Sequence, residues 1–345
     1  MKVHPLKINY NSQQQYFNEN WPSIPKSILA DTIILNILIN YFFIMNAIEI
    51  TILSIVLMIA LGYFLKRIDF ISVNDVDVLN NIVIYILLPC MIFSALYSAD
   101  LSLINQLGIL PFIILASSFV TGIISFFILK MLNLSDKKLW SVLVTVMIAN
   151  TAFMGYPVTL GIFGHEGFLR AIFCDIATMI IFLILSFVLV LKFGGSPKSA
   201  VKKIAFFPPL WAIILGIALN LSNISIGPIL ENTVNYLGNG AIPLIMLSLG
   251  ISIDLGGIKR SKAMIIFTSI MKLAFFPFIA LLLVSFLGLV DLQYNVSIIE
   301  AAMPSGMLSL ILAITYKLDF ELTSDCILIN TVFSLVTLPL IIMLI

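Results

Sequence analysis

From Ala47 onward the chain alternates long apolar runs with short polar breaks. A helix needs about 20 mostly apolar residues to cross the hydrocarbon of a bilayer. Ten segments approach that length: 47–65, 79–98, 107–130, 139–163, 168–192, 207–222, 232–253, 262–289, 293–316 and 322–345. The uncharged stretches Leu101–Leu129 and Ile204–Leu230 leave little room for a soluble domain. The pattern predicts an all-α polytopic membrane protein with ten transmembrane helices in one membrane domain, residues 46–345.

Composition agrees. Of 345 residues, 61% are hydrophobic and 10% charged, with a mean hydropathy of +1.15. A soluble domain carries about 25% charged residues. The net charge of +1 gives no electrostatic case for nucleic acid as a partner; the lipid bilayer is the expected one. Cys90, Cys174 and Cys326 all lie in apolar runs and behave as small hydrophobes. His4 and His165 are far apart, so no metal centre and no cofactor is expected.

The basic residues set orientation. Lys66 and Arg67 follow the first span; Lys130, Lys137 and Lys138 the third; Lys192, Lys198, Lys202 and Lys203 the fifth; Lys259, Arg260 and Lys262 the seventh; Lys317 the ninth. The even-numbered loops are nearly free of Lys and Arg. Cationic loops stay in the cytoplasm, so both ends of the ten-span core are expected outside a cell membrane.

The stretch 194–206, GGSPKSAVKKIAF, divides five spans from five. An odd number per half inserts the second half upside down, giving two inverted five-helix repeats, 47–193 and 207–345. A faint echo supports this. Asn81 precedes Pro89 in the second span as Asn235 precedes Pro243 in the seventh. The matched fourth and ninth spans both contain helix breakers: Gly155 and Pro157 in IANTAFMGYPVTLG, and Pro304 and Gly306 in IIEAAMPSGMLSL. A proline alone is equally a simple kink, the plainer reading for Pro89 and Pro243 as structural helix breaks.

Irregular backbone at membrane depth survives only inside protein or along a watery cavity. A restarted half-helix presents free N–H groups and partial positive charge, which suit a carboxylate. In the fourth span these are expected near Val158 to Leu160, and in the ninth at Pro304, Ser305 and Gly306. Asn150, Thr151 and Tyr156 add side chains able to hold a small anion. Three intramembrane charges, Asp175, Lys272 and Glu300, are candidates for ion coupling. A structural ion pair between helices is the alternative. Glu300 and Asp175 can carry a proton; Asn150, Thr151, Glu300 and unwound carbonyls can equally coordinate sodium.

The stretch LNNIVIYILLPCMIFSAL, then ANTAFMGYP, then a mid-span Pro followed by LSLG, then EAAMPSG resembles the auxin efflux carrier family, from about Met45 to the end. The resemblance implies ten spans in inverted repeats, with broken fourth and ninth helices crossing at Pro157 and Pro304. It implies secondary transport of small organic anions: auxin in plants, dicarboxylates such as malonate in some prokaryotic members. The short loop after the fifth span is similar to the compact prokaryotic members and argues against auxin. The resemblance also implies a homodimer.

No HExxH pair, Ser/His arrangement or paired intramembrane aspartates point to an enzyme. A channel or substrate sensor of the same fold is the alternative to a transporter. Residues 1–45 stand apart: 1–27 are polar, and 28–45 are apolar but interrupted by Asp31, Asn36 and Asn40. The expectation is that translation starts at Met45; an added amphipathic or membrane helix is the rival.

Overall fold

A computed structural model describes residues 47–72, 75–100, 107–194, 202, 205–253 and 262–345. The extension 1–45 and its start-site expectation lie outside the described residues. Among them the chain is mostly helical: α1 Ala47–Arg67, α2 Val76–Tyr97, α3 Ile109–Met131, α4 Asp136–Met147, α5 Thr151–Phe193, α6 Pro208–Leu221, α7 Gly227–Ser252, α8 Lys262–Phe286, α9 Asp291–Ala301, α10 Leu308–Thr315 and α11 Phe320–Ile342. Six of them, α2, α3, α5, α7, α8 and α11, are long and apolar enough to cross a membrane. Contacts divide the chain at Ile50, and Thr51–Ile345 form one compact unit; the contacts below lie within it.

The predicted fourth span is two pieces. The helix stops at Met147 and restarts at Thr151. The predicted loop between the fourth and fifth spans is a bend at a single residue of α5, Gly164 (φ 64°, ψ −160°). That region of backbone space is essentially reserved for glycine. The predicted ninth span is likewise two pieces, α9 and α10.

Three helices contain a wide turn, at Val83–Leu87, Thr151–Gly155 and Met271–Phe275. Each ends two residues before a proline: Pro89, Pro157 and Pro277. Proline lacks an N–H, and its ring collides with the carbonyl four residues back. Widening the turn moves that carbonyl aside and lets the helix continue. In α7 the break falls at Gly240 instead, just before Pro243, so the proline sits in a first turn where its missing N–H costs nothing.

The helices sort into two packed groups. In one, α2 packs on α6 and α7, and α1 crosses α7 so closely that only glycine fits. A Cβ on Gly62 would lie 2.3 Å from Leu247 O, and one on Gly250 2.0 Å from Ile59 O. The α6–α2 crossing repeats these contacts: a Cβ on Gly216 would lie 3.2 Å from Phe93 O. Lys66 of α1 donates to Ile253 O past the end of α7 (2.7 Å). Asn220 of α6 donates to Leu96, Tyr97 and Ala99 O at the end of α2 (2.8–2.9 Å). Gly62 and Gly216, Lys66 and Asn220, and Ala99 and Ile253 are each separated by the same stretch of chain.

Between α2 and α7 the contacts are reciprocal. Ser94 donates to Asn235 Oδ1, and Ser248 donates to Asn80 Oδ1 (2.6 Å). The sequence echo pairs Asn235 with Asn81, yet Asn80 makes the contact. The wide turn in α2, absent from α7, places one extra residue between that asparagine and Ser94.

The second group contains α3, α4, α5 and α8 to α11. Leu129 of α3, Leu139, Val142, Leu143 and Val146 of α4, Met264, Ile265 and Met271 of α8, and Leu322 and Cys326 of α11 share one buried apolar cluster. Asp136 pairs with Lys192 (3.0 Å), tying the start of α4 to the end of α5.

Gly250→Ala is expected to destabilise the protein by about 1–3 kcal/mol, because the atom in the way is backbone and cannot rotate aside. Thermal melting in detergent would check it: an unchanged midpoint would mean that the α1–α7 crossing has slack.

Candidate functional site: the paired helix breaks

The two breaks meet. After Met147 the backbone is extended at Ile148 (φ −93°, ψ 118°), and it runs antiparallel to the chain around Ser305. Asn150 N–H donates to Pro304 O (2.8 Å), and Gly306 N–H donates to Ile148 O (2.9 Å). Each break thereby satisfies backbone groups that the other leaves open, as a water-free surrounding requires. A Cβ at position 306 would lie 2.5 Å from Ala149 O, so the bridge needs glycine there.

Neighbouring helices hold the bridge in place. Asn330 of α11 donates to Ser305 Oγ (2.8 Å) and accepts from Ser269 of α8 (2.6 Å). Ser309 donates to Gly306 O. Ser118 of α3 donates to Met147 O (2.9 Å), an open carbonyl at the end of α4. On the other side Thr151 donates to Asp175 Oδ1 of α5 and lies 3.1 Å from Thr178 Oγ1. The Tyr156 hydroxyl donates to Asp175 Oδ2 (3.0 Å). Its ring stands edge-on to Phe168, centroids 5.0 Å apart.

Glu300 lies in the last turn of α9. It is fully buried, and neither carboxyl oxygen has a hydrogen-bond partner among the described residues. The carboxyl rests on Gly155: a Cβ there would lie 2.2 Å from Oε2 and 2.6 Å from Oε1. Asn150 Nδ2 is also buried without a partner.

Of the residues expected from sequence, Asn150, Thr151, Gly155, Tyr156, Pro304, Ser305, Gly306, Asp175 and Glu300 gather around this crossing. Pro157 lies outside the backbone bridge. It lies inside α5, and the break is upstream at Ile148–Asn150, because the wide turn at Thr151–Gly155 accommodates the proline. The free N–H groups are consequently at Thr151 to Phe153, the first turn after the break, not near Val158 to Leu160. Lys272 makes none of the bridge's hydrogen bonds. Its ammonium is fully buried, lies 3.5 Å from the centroid of Phe276 in its own helix, and has no hydrogen-bond partner among the described residues. Pro89 and Pro243 belong to α2 and α7. Sequence reasoning misses Ser118, Thr178, Ser269 and Asn330; the signal for the last is a buried amide in an apolar span.

A family model described as membrane transport protein matches residues 47–199 and 196–342. Two archaeal relatives align over most of their length. An uncharacterized transporter of Methanothermobacter thermautotrophicus is 39% identical over 290 residues, covering 84% of this chain and 96% of its own. An uncharacterized transporter of Methanocaldococcus jannaschii is 35% identical over 295 residues, again 84% and 96%.

Asp175→Ala removes the acceptor from two buried hydroxyls, those of Thr151 and Tyr156. A buried group left unsatisfied costs about 1–3 kcal/mol, so its melting midpoint should fall further than that of Asp175→Asn, which keeps one acceptor oxygen. Equal midpoints would remove Asp175 from the support of the crossing.

Proposed function

The chain belongs to the membrane transport protein family, and on that premise we propose that it is a secondary active transporter of small organic anions. The cargo class is carboxylates, malonate-like dicarboxylates among them, moved by alternating access at the crossing and coupled to a proton or to sodium. The observation that carries the reading is the reciprocal backbone bridge between two broken helices. Each break leaves the first turn of a half-helix, Thr151 to Phe153 and Met307 to Leu308, with N–H groups that helical bonding does not use. Helix N-termini attract carboxylates, and Asn150 Nδ2 is a buried donor without a partner among the described residues.

Two carboxyl groups, Asp175 and Glu300, border a site proposed for an anion. Their charge opposes the cargo unless a cation accompanies it, which is the physical reason to expect coupling. We place the crossing in ten spans arranged as two inverted repeats, in the cell membrane, with both core termini extracytoplasmic. The mated α1–α7 and α6–α2 contacts and the self-reciprocal bridge support that arrangement. A homodimer is part of the proposal on family grounds.

The test is uptake of radiolabelled malonate and related mono- and dicarboxylates into proteoliposomes, with and without pH and sodium gradients. Saturable, gradient-driven uptake is expected. Asn150→Ala should weaken it about tenfold, the equivalent of one lost hydrogen bond to a charged group. Failure of every carboxylate to move, or flux that never saturates, would overturn the reading.

A further inference from the structure

The crossing holds two carboxyl groups in opposite circumstances. Both oxygens of Asp175 are engaged, one by Thr151 and one by Tyr156. Both oxygens of Glu300 lack any donor among the described residues, and its carboxyl is packed on the bare Cα of Gly155. We propose that Glu300 alone carries the coupling ion, that this ion is a single proton, and that Asp175 is a positioning residue for Thr151 and Tyr156. The inference deepens the transport reading above and rests on it.

Burying an ionised carboxylate with neither donors nor a counter-charge is among the costliest burials a protein can make. Among the described residues, the elements packed on α9 around Glu300 supply no cation at salt-bridge distance. Cys174 and Asp175 come from α5, and Tyr156 follows the wide turn that carries Gly155. The hydroxyls of Ser117 and Thr121 lie on α3, and the amide of Asn330 on α11. Lys272, on α8, has its ammonium over Phe276. A metal cation needs a shell of several oxygen ligands, whereas one face of the Glu300 carboxyl is closed by Gly155 carbon. A proton needs no shell. In the state described here the neutral acid is what this packing accommodates.

The exchange balances simply. Glu300 takes a proton from water on one side, and the O–H bond breaks to return that proton to water on the other, with no change in oxidation state. Release requires the turn Thr151–Gly155 to move off the carboxyl. That turn is a widened one beside the break, a kind of segment often found at functional sites. With Glu300 neutral, only Asp175 opposes an entering anion, and its charge is already held by two donors. With Glu300 ionised, a second anionic charge adjoins the site and disfavours the cargo. Proton first, anion second, is the order this predicts.

The first test needs no cargo. In pH-difference infrared spectra of the protein in liposomes, a protonated-carboxyl band should disappear as pH rises. It should be missing from Glu300→Gln and present in Asp175→Asn. Glu300→Asp, which keeps the acid, serves if the glutamine variant does not fold, and its band should titrate at a different pH. Survival of the band in Glu300→Gln, or its loss when sodium replaces potassium at fixed pH, would overturn the proposal.

The second test uses malonate in proteoliposomes at clamped membrane potential. One coupled proton lets a gradient of one pH unit drive about tenfold accumulation. Glu300→Gln should show no gradient-driven accumulation. Asp175→Asn should keep the gradient dependence at a reduced rate, and the reverse pattern would sink the assignment. If no carboxylate moves at all, the cargo reading fails, while the infrared result still decides which residue holds the proton.

Discussion

The constraint on which the molecule depends is that a backbone group has no partner in hydrocarbon except another protein group. Two helices are broken, and broken helices leave open carbonyls on one side and open N–H groups on the other. The bridge between Ile148–Asn150 and Pro304–Gly306 settles this by making each break the partner of the other. It uses two backbone hydrogen bonds, so the side chains at the crossing brace the bridge without having to form it, and Glu300 and the Asn150 amide nitrogen have no hydrogen-bond partner among the described residues. Gly306 is fixed by the closeness of Ala149 O, and Gly155 by the closeness of Glu300. The two glycines mark where backbone meets backbone and where backbone meets acid.

The same economy governs the rest of the fold. Close helix crossings in a membrane protein rely on small residues, because there is little hydrophobic drive between helices already in lipid. Gly62, Gly250 and Gly216 let α1 meet α7 and α6 meet α2 at backbone contact. The open carbonyls that result are capped from the partner helix, by Lys66 in one case and Asn220 in the other. One cap is charged and the other neutral. The geometry recurs between the halves, and the chemistry is free to differ.

How much of this is legible in the sequence depends on whether the deciding interaction is local. Apolar length and helix breakers are local, so the long helices and both broken spans are readable from the chain. The position of the first break is not. The sequence marks Gly155 and Pro157, but the helix already restarts at Thr151, because a wide turn absorbs the proline. No such turn precedes Pro304, and there the break falls on the proline itself. The Asn81–Pro89 echo misleads by one residue for a related reason: the turn before Pro89 shifts the contacting residue to Asn80. Asn330 and Ser269 are illegible as a pair, since an amide in an apolar span announces a need for a partner without naming it. The surroundings of Lys272 are also not legible. Its charge marks it out in sequence, but not that its ammonium lies on the ring of Phe276, one turn along its own helix.

The crossing is nearly symmetric in backbone and clearly asymmetric in side chains. Each break is braced by a polar residue on the helix that follows, Asp175 for Thr151 and Asn330 for Ser305. The brace is an acid in the first half and an amide in the second. Only the second break has a buried acid in the last turn of its approaching helix, Glu300, and that acid packs on the first half's Gly155. The charge of the second half is therefore covered by the backbone of the first. A movement that separates Gly155 from Glu300 changes the solvent access of that acid, whereas Asp175 keeps its two donors as long as Thr151 and Tyr156 stay packed on the part of α5 beyond Gly164. All three lie on one stretch of chain that folds back on itself at Gly164, which brings Thr151 and Tyr156 against Asp175. The carboxyl held by two donors is suited to stay fixed, and the carboxyl that rests on bare backbone is suited to respond.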